Sequence, residues 1–314
     1  MDKVLVTGAS GFLGTHFTRL LSEKGTPWVG TSRSDRRFIQ IPELGNQTPW
    51  CLALEGCTTV VHLAARVHVM KESHASPESE FLKANRDATR ALAEQAAALG
   101  VRRLLYLSSI KVNGEKTDRT PFRHDDEPAP VDAYARSKCL AEEALWEVSR
   151  ETALEVVIIR PPLVYGAGMK GNMLSLARGI RNHLPLPLGA LHNRRSLVGV
   201  HNLCDLIWTC LWHSQSAGEV FLAGDGRALS TTELVFLMAR SMGVRPLLLP
   251  IPAAWLRMGA RVLGKEQAVN RLIGDLELDI SHAQALLGWQ PPFSVEQEFL
   301  QSFPREGASR QFYS

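Results

Sequence analysis

The stretch Val4–Gly14, V-L-V-T-G-A-S-G-F-L-G, constrains the chain more than any other. An apolar run, Val4-Leu5-Val6, stops at Thr7, and glycines follow at 8, 11 and 14. Phe12, Leu13, Phe17, Leu20 and Leu21 then recur at helical spacing until Gly25, which supplies a C-terminal stop. The pattern predicts a strand, a tight turn and a helix whose N-terminus is left open. Backbone N–H groups and the positive end of the helix dipole there suit a pyrophosphate. Gly8 and Gly11 allow the turn and a close approach of phosphate, and Gly14 lets the helix press on the sheet. Ser10, Phe12 and Leu13 complete the turn and are expected beside the same group. A glycine triplet alone is weak evidence; the strand before it and the helix after it strengthen the dinucleotide reading.

With 314 residues, 45% of them hydrophobic, the chain has material for a large core: about two domains, or one doubly wound domain with a lobe attached. A net charge of +3 without a basic tract argues against a nucleic-acid partner. No apolar run approaches the ~18 residues of a membrane span, and a strand beginning almost at Met1 leaves no room for a signal peptide, so a cytoplasmic protein is expected. The five cysteines, Cys51, Cys57, Cys139, Cys204 and Cys210, are odd in number and form no C-x-x-C pair. Buried free thiols are expected rather than a metal or disulfide site.

Further strands are read at Trp28–Thr31, Thr58–Ala64, Leu104–Ser108 and Glu155–Arg160, with a short helix near Pro49–Leu54. Long helices are read over 77–99, capped by Ser76-Pro77, and over 133–152. Alternation of this kind means right-handed βαβ units and a parallel sheet. Between them the proline-bearing loop Ile110–Asp132 is too long for mere connection. The character changes at Pro161-Pro162. Helices near Met173–Asn182, Asn202–His213, Ala253–Leu263 and Ser281–Leu287 follow, with strands at Leu197–Val200 and Glu219–Ala223. Ser230-Thr231-Thr232-Glu233 is a capping box for one more helix. The expected division is a dinucleotide-binding domain of residues 1–160 with 197–223 returning to it, and a smaller lobe of 161–196 and 224–314.

Tyr134 and Lys138 stand four residues apart on a predicted helix and face one way. An ammonium near a phenol favours the phenolate, drawing its pKa down from about 10. Such a tyrosine exchanges a proton with a substrate oxygen while carbon exchanges hydride with a nicotinamide. Either Ser108 or Ser109, at the carboxyl end of a strand where parallel sheets bind ligands, can hold that oxygen.

The chain resembles the extended short-chain dehydrogenases, and more narrowly the NAD-dependent epimerase/dehydratase family acting on nucleotide sugars. The resemblance rests on T-G-A-S-G-F-L-G, H-L-A-A at His62–Ala65, S-S at Ser108–Ser109, Y-A-R-S-K at Tyr134–Lys138 and R-P-P-L-V-Y-G at Arg160–Gly166. It implies a Rossmann-like α/β fold, a doubly wound parallel sheet with a smaller C-terminal α/β substrate lobe. The family's Ser-to-Tyr interval matches the 25 residues from Ser109 to Tyr134 and selects Ser109. It further implies Ser109, Tyr134 and Lys138 as the catalytic set, with Lys138 also on the nicotinamide ribose. Ala64 and Ala65 would lie beside the adenosine ribose and the backbone around Pro162–Val164 near the nicotinamide, with Leu63, Ser108, Pro161 and Leu163 among the further cofactor contacts. Asn172, Arg195 and, within one residue, Arg271 match positions that grip a sugar nucleotide's diphosphate. Lys111 is a further candidate for that contact. The helices 77–99 and 133–152 would pair across a homodimer.

NAD-preferring relatives carry an acid at the end of the second strand; here Ser32 and Arg33 stand there. Serine with a guanidinium suits a 2′-phosphate, so NADP(H) is favoured, with NAD(H) the alternative. Dehydratases of the family carry an Asp-Glu pair after the site hydroxyl, where Ile110-Lys111 stand, which argues against dehydration. The reading favoured is NADPH-dependent reduction of a UDP-4-keto-6-deoxy-N-acetylhexosamine for surface polysaccharide. The alternative is a UDP-hexose or UDP-N-acetylhexosamine 4-epimerase holding NAD. A non-catalytic NADP-binding sensor is the remaining one.

Overall fold

β-Branched and leucine-rich runs, apolar at every position, belong to strands covered on both faces. Nine strands form in the computed structural model, which describes residues 2–67, 77–262, 264 and 266–305. They are β1 (Val4–Thr7), β2 (Trp28–Ser32), β3 (Ile39–Gln40), β4 (Thr59–His62), β5 (Arg103–Leu107), β6 (Glu155–Arg160), β7 (Leu163–Tyr165), β8 (Leu197–Gly199) and β9 (Val220–Leu222). Seven make one sheet in the order β3-β2-β1-β4-β5-β6-β9, with every pairing parallel. This is the Rossmann-like doubly wound sheet. The strand order reverses beside β1, so a crevice opens beyond the carboxyl ends of β1 and β4.

Side chains alternate between two cores. Val4, Val6, Leu105, Val157 and Ile159 face the helices Phe12–Glu23 and Val200–Trp212 on one side of the sheet. Leu5, Val60, Leu104, Tyr106, Val156 and Ile158 face Ala88–Ala98 and Ala133–Glu151 on the other. A third cluster, from Tyr165 and Met173 to Phe299, gathers the residues beyond Arg160.

Several elements differ from expectation. Of the stretch 197–223, only β9 enters the large sheet; β8 pairs with β7 instead. The helix expected over 77–99 is continuous in direction but not in type. Pro77–Phe81 passes through a π-helical turn, Leu82–Asp87, into Ala88–Ala98. Its proposed cap, Ser76, and the last residue of the expected Ala253–Leu263 helix lie outside the described residues. The two-residue β3, the short β7 and the helices Glu266–Ile273 and Val295–Ser302 carry too brief a pattern to be read. The capping box of Ser230 and Glu233 is present.

Cys57, Cys139, Cys204 and Cys210 are buried free thiols, whereas Cys51 is exposed. Cys51 opens a short helix whose inner face is filled by Ala53 and Leu54. No helix among the described residues is long and apolar enough to cross a membrane, and no cluster of metal-ligating side chains occurs among them.

Candidate active site

The glycine turn is built from backbone contacts. Gly8 has φ +69°, and a Cβ there would stand 3.0 Å from the Ala64 nitrogen. A Cβ on Gly14 would lie 2.2 Å from the Gly8 carbonyl oxygen, so helix and turn touch where any side chain would part them. Gly11 N–H donates to that carbonyl at 2.9 Å. Thr7 Oγ1 accepts from the backbone N–H groups of Leu63 and Ala64, both at 3.1 Å, and binds His62 Nδ1 at 2.7 Å. One hydroxyl thus ties the ends of β1 and β4 together.

A cavity of about 320 Å³ opens there, lined by Gly8, Ser10, Gly11, Ser32, Arg33, Leu63, Ala64 and Ala65 among others. Eight of the expected cofactor residues therefore meet around one space, whose exposed glycine backbone fits a dinucleotide's phosphates. Ser10 and Ser32 share a hydroxyl hydrogen bond of 2.7 Å, and Ser32 Oγ accepts from Asp35 N–H at 3.1 Å. Asp35 itself is held by Arg37, whose hydrogen bonds draw its carboxyl below the usual range. Arg33 lines the cavity, whereas the neighbouring Arg36 and Arg37 do not. Sequence reasoning missed Arg66, Glu80, Glu43 and Lys83 on the same wall. They pair as Arg66–Glu80 (3.8 Å) and Lys83–Glu43. No motif marks them, because Glu43 and Arg66 arrive on irregular backbone after β3 and β4, and Glu80 and Lys83 on the short helix Pro77–Phe81 and the π-helical turn that follows it.

Other expected cofactor residues are placed differently. Phe12, Leu13 and Gly14 lie on the inner side of the turn, with Leu13 buried and Phe12 packed against two cores. The Ser108 hydroxyl faces inward and bonds Glu142. Glu142 forms a buried pair with Arg160 at 2.6 Å, and Arg160 also donates to Asn113 at 3.0 Å. Ser108 is thus the end of an internal polar chain, whose charges demanded a donor. The Pro161 carbonyl accepts from Ile110 N–H, and Leu163 is half exposed on β7.

Ser109, Tyr134 and Lys138 converge beyond β5. Asp132 caps the helix Ala133–Glu151 by accepting from Ala135 N–H at 2.7 Å, which fixes the first turn and Tyr134 on it. Ser109 accepts from Lys111 N–H and hydrogen-bonds the Tyr134 hydroxyl, a contact that favours the phenolate. Burial outweighs it and pushes the tyrosine up to about 12. Lys138 Nζ donates to the Leu107 carbonyl at 2.8 Å and lies 4.5 Å over the Tyr106 ring; burial pulls it down to about 7. The expected draw of Lys138 on the Tyr134 phenol is therefore not what the geometry delivers. The ammonium is turned to a strand carbonyl, and desolvation governs both groups.

Of the expected diphosphate residues, Lys111 and Arg271 are linked through Glu115, whereas Arg195 and Asn172 carry no hydrogen bond or ion pair to that pair among the described residues. Lys111 pairs with Asp132 and, at 3.2 Å, with Glu115. Glu115 also reaches Arg271 at 3.4 Å. Arg195 donates to the Gly274 carbonyl at 3.0 Å, and burial, with the nearby charge of Arg271 adding to it, pulls its pKa down. Asn172 is the exposed first residue of the helix Asn172–Arg181, joined to none of these by a hydrogen bond or ion pair among the described residues.

Known proteins agree with this architecture. The model of the NAD dependent epimerase/dehydratase family matches residues 4–224. A UDP-glucose 4-epimerase of Vibrio cholerae is 39% identical over 95% of this chain and 94% of its own length. The N-acetyl-alpha-D-glucosaminyl-diphospho-ditrans,octacis-undecaprenol 4-epimerase of Escherichia coli O157:H7 is 29% identical over 86% of this chain and 83% of its own. The solved structure of MoeE5 with UDP-glucose and NAD is 25% identical, with a TM-score of 0.76, covering 96% of this chain and 97% of that one. Sheet order, glycine turn and family match agree: the chain belongs to the NAD dependent epimerase/dehydratase family.

Proposed function

We propose that the protein carries out nicotinamide-dependent redox chemistry at C4 of a UDP-sugar, and that the reaction is a 4-epimerisation. The observation that carries the reading is the Ser109–Tyr134 hydrogen bond at the carboxyl edge of the sheet, with Lys138 one turn along the same helix. The similarity to a UDP-glucose 4-epimerase over nearly the whole chain supports the sugar and the outcome. A bound nicotinamide supplies the hydride acceptor and donor. The chain's part is to hold the sugar hydroxyl against Ser109 and Tyr134, whose phenolate form, favoured by the Ser109 hydrogen bond, takes the proton as hydride leaves carbon. Tyr134 gives the proton back when hydride returns to the opposite face. Lys111, Arg195 and Arg271 supply the cations for the diphosphate, Asn172 a further polar contact, and Lys138 the contact to the nicotinamide ribose. The pair of helices 77–99 and 133–152 forms the dimer face in this reading; sedimentation of a monomer would remove it.

Reduction of a UDP-4-keto-6-deoxy sugar is the second reading. It is favoured by Ser32 and Arg33, which offer a hydroxyl and a guanidinium where a carboxylate would select NAD. On that ground NADP(H) is preferred to NAD(H), although MoeE5 was solved with NAD. Sugar NMR of UDP-glucose and UDP-N-acetylglucosamine incubated with the enzyme decides between the two. Interconversion at C4 without net cofactor consumption is expected. Consumption of NADPH with a 4-keto sugar and no interconversion would reverse the order. Arg33→Asp should weaken NADPH binding and spare NADH; equal effects on both would end the NADP preference.

A further inference from the structure

The helix Ala253–Val262 leaves its apolar side outside. Leu256 packs into the third core and Ala260 is buried, which sets the inner face. On the opposite face Trp255, Met258 and Val262 are 67%, 60% and 84% exposed. Their spacing of i, i+3 and i+7 puts them in one stripe. Arg257 and Arg261 flank the stripe on one side and are also exposed. Glu266 pairs with Arg261 at 3.2 Å, and no ion pair holds Arg257 among the described residues. The next helix, Glu266–Ile273, adds Leu272, 40% exposed.

A soluble surface normally turns such residues inward, and a contiguous apolar stripe marks an interaction site. Three side chains are too few for a second copy of the chain, since a stable dimer buries about 800 Å² on each partner. An apolar ridge with a tryptophan, bordered by arginines, matches what a helix needs in order to lie in the headgroup layer of a bilayer. We propose that this helix docks the protein onto an anionic lipid surface, with Trp255, Met258 and Val262 among the acyl chains and Arg257 against lipid phosphates. The helix that follows carries Arg271, which reaches Glu115. Docking therefore sets the lipid surface one helix away from the linked cations Lys111 and Arg271. The inference stands whichever reaction the enzyme performs.

The test is co-sedimentation of the full-length protein with phosphatidylcholine vesicles and with phosphatidylcholine–phosphatidylglycerol vesicles. Binding is expected to the second kind and to be at least about tenfold weaker to the first. Trp255→Ser/Met258→Ser/Val262→Ser should lower binding to the anionic vesicles about tenfold or more, and Arg257→Gln about fivefold. The stripe faces away from the core, so both variants should keep the parent's circular dichroism and thermal midpoint. The proposal is overturned if the parent stays in the supernatant with anionic vesicles, or if the triple variant binds them as well as the parent. It is also overturned if the triple variant turns a dimer into a monomer in sedimentation velocity, which would make the stripe a self-association face.

Discussion

Ser108 and Ser109 are adjacent, chemically identical and committed to opposite sides of one backbone. Ser109 holds the Tyr134 oxygen, whereas Ser108 feeds the buried Glu142–Arg160 pair. Their substitution should separate accordingly. Tyr134→Phe should cut turnover by roughly 10²–10⁴ with cofactor affinity unchanged in a fluorescence titration; retained turnover would remove the tyrosine from the chemistry. Ser108→Ala should instead lower unfolding stability by about 1–3 kcal/mol, because a buried charged acceptor loses its donor, and leave the Michaelis constant for cofactor intact. Chemical denaturation beside initial rates reads both. The 25-residue interval to Tyr134 already pointed to Ser109; what the sequence did not show was that the strand's pleat, ending at Leu107 one residue before the pair, turns Ser108 inward to Glu142. The same limit applied to the Lys138 ammonium. Its place four residues after Tyr134 was legible, but its turn toward the Leu107 carbonyl was set by the neighbouring strand.

At the scale of elements, the clamp across β1, β4 and the helix Ala88–Ala98 is a buried histidine. His62 bonds Thr7 through Nδ1 and Thr89 through Nε2 at 3.0 Å. Burial first, and the charge of Lys138 second, push it down to about 3. An unfolded chain binds that proton near pH 6.5, so between pH 6.5 and 3 the unfolded state carries more protons than the folded one. The contribution is therefore complete above about pH 6.5 and is lost as pH falls, by roughly 2–3 kcal/mol between pH 7 and 4.5. Urea midpoints of the parent and His62→Gln across that range should diverge in slope; parallel slopes would refute the assignment. Continuous apolar strands and capped helices were readable because their periodicity is local. β3, β7 and the acidic and basic wall of the cavity were not, since two or three residues hold no period and their positions follow from tertiary contacts.

Across the whole molecule, Glu115 joins the loop after β5 to the C-terminal residues by sharing itself between Lys111 and Arg271. If those cations bind the substrate diphosphate as proposed, it has to displace a carboxylate. Glu115→Gln should then lower the Michaelis constant for the nucleotide sugar a few-fold and leave kcat near its parent value. A raised Michaelis constant would mean that Glu115 instead holds the cations in place. Partners of this kind, brought together from distant parts of the chain, lie beyond any spacing rule.

The glycine turn bears on how such an enzyme changes its guest over generations. Gly8, Gly14 and Ala64 meet main chain to main chain, so no side chain there is available for mutation to vary. If the cavity holds a dinucleotide as proposed, preference between cofactors is left to the rim, where Ser32 and Arg33 stand. In that reading, the part of the site that grips the phosphates is insulated from the part that tells one dinucleotide from another.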